Sequence, residues 1–363
     1  MFNRTPKRGR RCAAASGLPR FHKILIGCLG AVAVLTTAFS ASAGPTNTEI
    51  AKMKQQYQRP ETVPFPKDNP FSQAKVDLGH KLFFDPRLSG TSTMSCASCH
   101  NPGLSWGDGL ATGVGSAANK LGRRSPTILN LAWAEALMWD GRAGSLEEQA
   151  TGPIEASVEM NQSMPRLVTT LGDIPGYRVA FNFAFPGEPI SGKTIAKAIA
   201  TFERTIVSGQ APFDRWIEGD EKAIDDAAKR GFVTFNTKAN CSACHSGWRF
   251  TDDSFHDIGL PDGDLGKGKL VQGVEPLLHA FKTPGLRNIA GRAPYMHNGS
   301  VSTMSAVIRH YDDGFVQRPS LSAEVYKLKL TDGEVHDLVA FLKTLTSTDP
   351  AVAVPILPTM EVN

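Results

Sequence analysis

The pentapeptide Cys96-Ala97-Ser98-Cys99-His100 returns in the same outline as Cys241-Ser242-Ala243-Cys244-His245. CxxCH is the attachment signature of c-type haem. Two thiols add to the porphyrin vinyl groups, and the imidazole of the next residue takes one axial face of the iron. No other feature constrains the fold as much, because each copy must build a shell around a large apolar disc. Zinc ribbons pair their CxxC units within roughly 15–20 residues, whereas these two lie well over a hundred apart, each with its trailing histidine. Two covalent c-type haems are expected, on Cys96, Cys99, Cys241 and Cys244, with His100 and His245 as proximal ligands.

The far face of the first iron has no histidine of its own. None occurs between His100 and His245. Met138, Met160 or Met164 could close it, or it stays open. An open iron binds peroxide or oxygen, whereas a closed one mainly passes electrons. That choice separates an enzyme from a dihaem electron carrier.

Residues 1–23 carry seven Lys and Arg and no acid, and an apolar run follows from Ile24 to Phe39. Ala41-Ser42-Ala43 then precedes Gly44, which reads as a secretory signal cleaved near Ala43-Gly44. Removing 1–43 leaves 32 Lys and Arg against 35 Asp and Glu, a net −3, so the basic balance belongs to the signal. Nothing suggests nucleic-acid binding, and no stable membrane anchor is expected. Cys12 and Cys28 leave with the signal, so every remaining cysteine is spent on haem. The expected compartment is the periplasm.

Residues 44–68, marked by Pro60, Pro64 and Pro66, read as an extended lead-in. Ala74, Leu78, Leu82 and Phe83 have helical spacing that stops near Asp85-Pro86. Gly79 and Phe84 precede the first haem motif much as Gly231 and Phe235 precede the second, which implies an internal repeat. A glycine-studded loop follows His100 and could wrap a planar cofactor or lie free on the surface. Ile195, Ile199, Phe202 and Ile206 give a buried helical face, and helices are expected over 223–235 and 303–311. Thr331 with Glu334 forms a capping box for the last helix. Few alternating runs occur. The expected class is mainly α, with two cytochrome c-type domains, long irregular loops and little sheet. The first domain spans 69–210 and the second 211–347, followed by a loose tail over 348–363.

These residues resemble the superfamily of bacterial dihaem cytochrome c peroxidases and MauG over about 69–346. The likeness rests on both CxxCH units, Trp139-Asp140-Gly141-Arg142 with Glu159 twenty residues after Trp139, Leu286-Arg287-Asn288, and Pro294-Tyr295-Met296-His297. The peroxidase branch closes its first haem with a histidine sixteen residues after the proximal one, where this chain has Ser116. It closes the second with a methionine fourteen residues after the ProTyrXaaHis histidine, where this chain has Tyr311. At both places the sequence resembles the MauG branch, with an open first haem and a tyrosine on the second. Met296, Met304, His297 and His310 are the rival ligands to Tyr311.

The resemblance implies roles for several further residues. Glu159 is the distal-pocket acid that moves a proton during peroxide cleavage, Gln149 and Pro153 are further pocket residues, and Trp139 lies between the haems. It implies hydrogen peroxide, or oxygen with electrons, as oxidant and, as reductant, tryptophans of a methylamine dehydrogenase precursor maturing to tryptophan tryptophylquinone. The alternative is a peroxidase that reduces peroxide to water with a small periplasmic cytochrome or cupredoxin as electron carrier. The hole-exit residue is unassigned: Ala239-Asn240 offers no aromatic, which leaves Trp248 and Trp216 as candidates. Calcium between the haems is an open but disfavoured cofactor, since Arg124 stands where the family often has an asparagine ligand. Asn130 is the nearby substitute.

Overall fold

A computed structural model describes residues 44–360. The export signal expected over 1–43 lies outside the described residues. The first helices are α1 (Asn47–Gln55), α2 (Gln73–Phe84) and the short α3 (Cys96–Cys99). Then come α4 (Leu146–Glu155), α5 (Met164–Asp173), α6 (Pro175–Ala184) and α7 (Gly192–Arg204). The remaining helices are α8 (Pro212–Ile217), α9 (Asp226–Asn236), α10 (Met304–Arg309) and α11 (Asp332–Lys343). Among the described residues, sheet is confined to β1 (Phe255–His256) and β2 (Phe281–Lys282), an antiparallel pair with Phe255 opposite Lys282. Among the described residues no helix is long and apolar enough to cross a membrane.

Two hydrophobic cores repeat one construction. In the first, Leu78, Leu82 and Phe83 of α2 meet Ile195, Ile199 and Phe202 of α7, with α5 and α6 adding Leu171, Tyr177 and Phe181. In the second, Phe232 and Phe235 of α9 meet Leu338 and Phe341 of α11. Each crossing has a glycine at its closest point. A Cβ on Gly79 would lie 2.0 Å from the Ala198 carbonyl oxygen, and one on Gly231 would lie 1.9 Å from that of Asp337. A phenylalanine (Phe202, Phe341) sits over each glycine. The two backbones can approach this closely only without a side chain between them, so the repeat seen in the sequence is a repeated helix crossing.

Both ends of the chain differ from the sequence expectation. The lead-in read as extended contains α1, because Thr46 and Glu49 form a reciprocal capping box that starts a helix in a polar stretch. Tyr57 just after it is fully buried in the second core, stacked on Phe250, and its hydroxyl donates to Asn236 Oδ1 at 2.7 Å. The tail is irregular but held in place. Asp349 accepts from the Gly209 amide and from Asn288, and Arg87 donates to the Pro358 carbonyl at 2.9 Å.

Candidate functional site

A cavity of about 700 Å3 runs between the two CxxCH motifs and is bordered by all four thiols and both motif histidines. The first motif forms α3, at whose start the Ser95 amide donates to Ser98 Oγ at 3.0 Å. The second opens at Asn240 in a left-handed conformation and continues as a single tight turn over Cys241–Ala243. His100 Nδ1 donates to the Trp106 carbonyl at 3.3 Å, and His245 Nδ1 donates to that of Phe250 at 2.8 Å. Each bond fixes the ring and leaves Nε2 available to an iron, as a carbonyl partner does for a metal-binding histidine. Burial lowers the basicity of both imidazoles, which favours the neutral form that ligation needs. The thiol pairs, fixed imidazoles and apolar walls such as Ile128, Ile199 and Leu286 fit a covalent haem on each motif.

Glu159, Gln149, Pro153 and Trp139 all border this cavity. Glu159 is close enough to the first motif to act electrostatically on Cys99. Burial raises its carboxyl above the usual range, and Arg142 opposes the rise, so the group holds a proton more readily than a surface glutamate. The glycine-studded loop lies against the segment bearing it rather than free on the surface. A Cβ on Gly115 would lie 1.9 Å from the Val158 carbonyl, and the Ser116 amide donates to the Glu159 carbonyl at 2.7 Å. Ser116 is buried and is not among the cavity residues.

Gln149 and Pro153 share α4, which is fixed to α7 by the ion pair of Glu147 with Arg204 at 2.7 Å. Gln149 Nε2 makes a weak contact with Met138 Sδ at 3.9 Å. Trp139 sits at the seam between the two halves. Its indole donates to the Arg124 carbonyl at 2.8 Å, its own carbonyl accepts from the Lys282 amide, and its ring meets His297 edge-on. Of the methionines considered for the first iron, Met138 and Met160 reach the cavity, whereas Met164 packs against Gly192.

Around the second motif the helix changes pitch. α10 ends at Arg309, and His310–Gly314 continue as one wide π turn that carries Tyr311 to the cavity. Such turns are frequent at functional sites. Burial pushes the Tyr311 phenol far above its ordinary value, with Cys244 and Cys241 close enough to add to the shift. An environment this dry can hold a phenolate only beside a cation, which an iron would be.

The rival ligands divide. His310 is engaged, Nε2 to the Ile258 carbonyl at 2.8 Å, and lies off the cavity. His297 borders the cavity, stacked on Phe281, with Nε2 3.0 Å from Asp262 but without hydrogen-bond alignment. Met296 and Met304 also border it. Trp248 and Trp216 do not, although Trp248 meets Trp133 edge-on at 4.7 Å.

Sequence reasoning missed two features of the wall. Glu203 is fully buried, and its signal was an acid four residues after Ile199 on an apolar helix face. Arg124 and Arg292 are buried cations with no acidic ion-pair partner among the described residues. A calcium ion does not fit between them, because two guanidiniums repel it where oxygen ligands are needed.

The sequence model of the di-haem cytochrome c peroxidase family matches residues 73–222, and that of cytochrome c matches 228–346. The methylamine utilization protein MauG of Methylorubrum extorquens is 51% identical, over 92% of this chain and 96% of its own length. The cytochrome c551 peroxidase of Pseudomonas aeruginosa is 39% identical, over 82% of this chain and 86% of its own. A crystal structure of a MauG-like protein associated with microbial copper homeostasis superposes with a TM-score of 0.74 at 33% identity. It covers 80% of this chain and 95% of that one.

Proposed function

The chain belongs to the di-haem cytochrome c peroxidase family, a haem-dependent oxidoreductase with two covalent c-type haems, and from that membership we propose a MauG-like role. In this reading it uses hydrogen peroxide to oxidise tryptophans of a partner protein in the periplasm, maturing the tryptophan tryptophylquinone of methylamine dehydrogenase. The observation that carries it is Tyr311, delivered by a π turn to the cavity beside the second CxxCH motif. Half the chain identical to a protein named for methylamine utilization supports the partner.

The bound haems supply an iron able to accept peroxide and a pair of centres able to share its two oxidising equivalents. Glu159 takes the proton from one peroxide oxygen and returns it to the departing one, a task its raised affinity for protons suits. Gln149 and Pro153 narrow the pocket and orient what enters. Trp139, held from both halves, bridges the seam. Tyr311 would hold the second haem through its phenol oxygen, and as a phenolate it would supply an anionic donor that favours the more oxidised metal. The division into haem domains at 69–210 and 211–347 belongs to the same reading and is supported by the two separate cores.

The test is to give the fully ferric holoprotein peroxide together with the methylamine dehydrogenase precursor. Oxygenated tryptophans by mass spectrometry and a growing quinone absorbance are expected. The peroxidase reading is favoured by the Pseudomonas relative and by Met296 and Met304 on the cavity wall. A ferric protein inert to peroxide, reacting only after one-electron reduction, would establish that second reading instead.

A further inference from the structure

The cavity wall carries two cations that no side chain answers. Arg124 and Arg292 are 8% and 5% exposed, both border the cavity, and Nε of each has no hydrogen-bond partner. The Arg124 guanidinium makes no hydrogen bond or ion pair with any described residue. Asp108, which acts on it electrostatically, is instead engaged by the Ser125 hydroxyl at 2.7 Å. Arg292 donates from Nη2 to the Gly285 carbonyl and has no other side-chain contact of this kind. Burial and then the Arg124 charge bring its guanidinium down to about 9, so the two cations feel each other.

Other arginines of the buried interior have partners. Arg204 pairs with Glu147, Arg287 with Asp214, and Arg123 with Asp140 and Asp264. An isolated buried charge is so unfavourable that natural interiors pair it. Two of them at one cavity therefore mark a place for anions. Their backbones are also fixed at the seam: the Arg124 amide donates to the His297 carbonyl at 2.8 Å, and the Arg292 amide to that of Ile289 at 3.1 Å.

We propose that Arg124 and Arg292 hold propionate carboxylates of the two haems, and that their fixed charges make a divalent cation between the haems unnecessary. Each c-type haem brings two anionic propionates, and Arg124 and Arg292 are the unpaired cations on the wall of the cavity that both motifs border. A guanidinium matches a carboxylate in a two-bond fork and stays charged where an ammonium would lose its proton. The inference rests on the haems alone and stands or falls independently of what the enzyme oxidises.

The holoprotein provides the test. After dialysis against EGTA, the parent should keep its EPR spectrum, both midpoint potentials and the propionate bending bands of its resonance Raman spectrum, and added calcium should change none of them. In Arg124→Gln and Arg292→Gln the propionate bands should shift, and the potential of the nearer haem should fall, because a cation favouring the reduced iron is gone. Arg124→Lys should shift the propionate bands in the same direction, because an ammonium cannot make the two-bond fork and is readily neutralised there. A parent whose spectra or potentials move with EGTA overturns the proposal. So do Gln variants that retain the parent's bands and potentials. Should the Gln variants fail to take up haem, the parent's response to EGTA and calcium and the Arg124→Lys bands still decide.

Discussion

Replacing Glu203 by glutamine should stabilise the protein by an amount that grows with pH. Glu203 is 4% exposed, its Oε2 has no partner, and burial raises its carboxyl from 4.5 to about 8 despite the opposing Arg204. The folded state therefore binds this proton more tightly than the unfolded chain does. Unfolding releases it between about pH 4.5 and 8, so stability falls as pH rises through that window and levels off above about 8. At about 1.4 kcal/mol per pH unit, the loss is roughly 3 kcal/mol at pH 7 and roughly 5 kcal/mol above pH 8. Glutamine has the same volume and no proton to release. Urea unfolding of parent and Glu203→Gln holoproteins at about pH 5, 7 and 9 reads the difference directly. It should be under about 1 kcal/mol at the lowest pH and several times larger at the highest. A constant offset across the three would refute the argument, since a merely structural change of side chain has no pH dependence.

Two further outcomes follow from the geometry. Gly231→Ala puts a Cβ 1.9 Å from the Asp337 carbonyl, so overpacking of about 1–3 kcal/mol should exceed the roughly 1 kcal/mol that alanine gains in a helix. Denaturant midpoints that rise rather than fall would count against the tight crossing. Glu159→Gln should take up both haems normally yet react with peroxide roughly 10²–10⁴-fold more slowly, the usual worth of a positioned acid–base group. Stopped-flow rates equal to the parent's would remove Glu159 from the chemistry.

Much of the site was legible because haem attachment fixes a linear motif, and because Gly79 and Gly231 stand where two helices must touch. The capped last helix was equally plain, since Thr331 and Glu334 act across three residues. Other features depend on contacts between distant residues and leave no local period. α1 contributes no buried residue of its own, so only its capping box announces it. The π turn at His310–Gly314 looks like ordinary helix in sequence, yet it decides where Tyr311 points. The Arg124–Arg292 pair spans well over a hundred residues. Arg124 read only as a missing ligand, and nothing in the string shows that both lack partners.

The ends of the described chain are crossed over. Tyr57, at the start, is locked into the second core, while Pro358, near the finish, packs on Gly176 of the first and takes a bond from Arg87. Each end of the described chain is thus held by the core farther from it in sequence. Trimming either end of the described chain would therefore take a buried or hydrogen-bonded contact away from the opposite core.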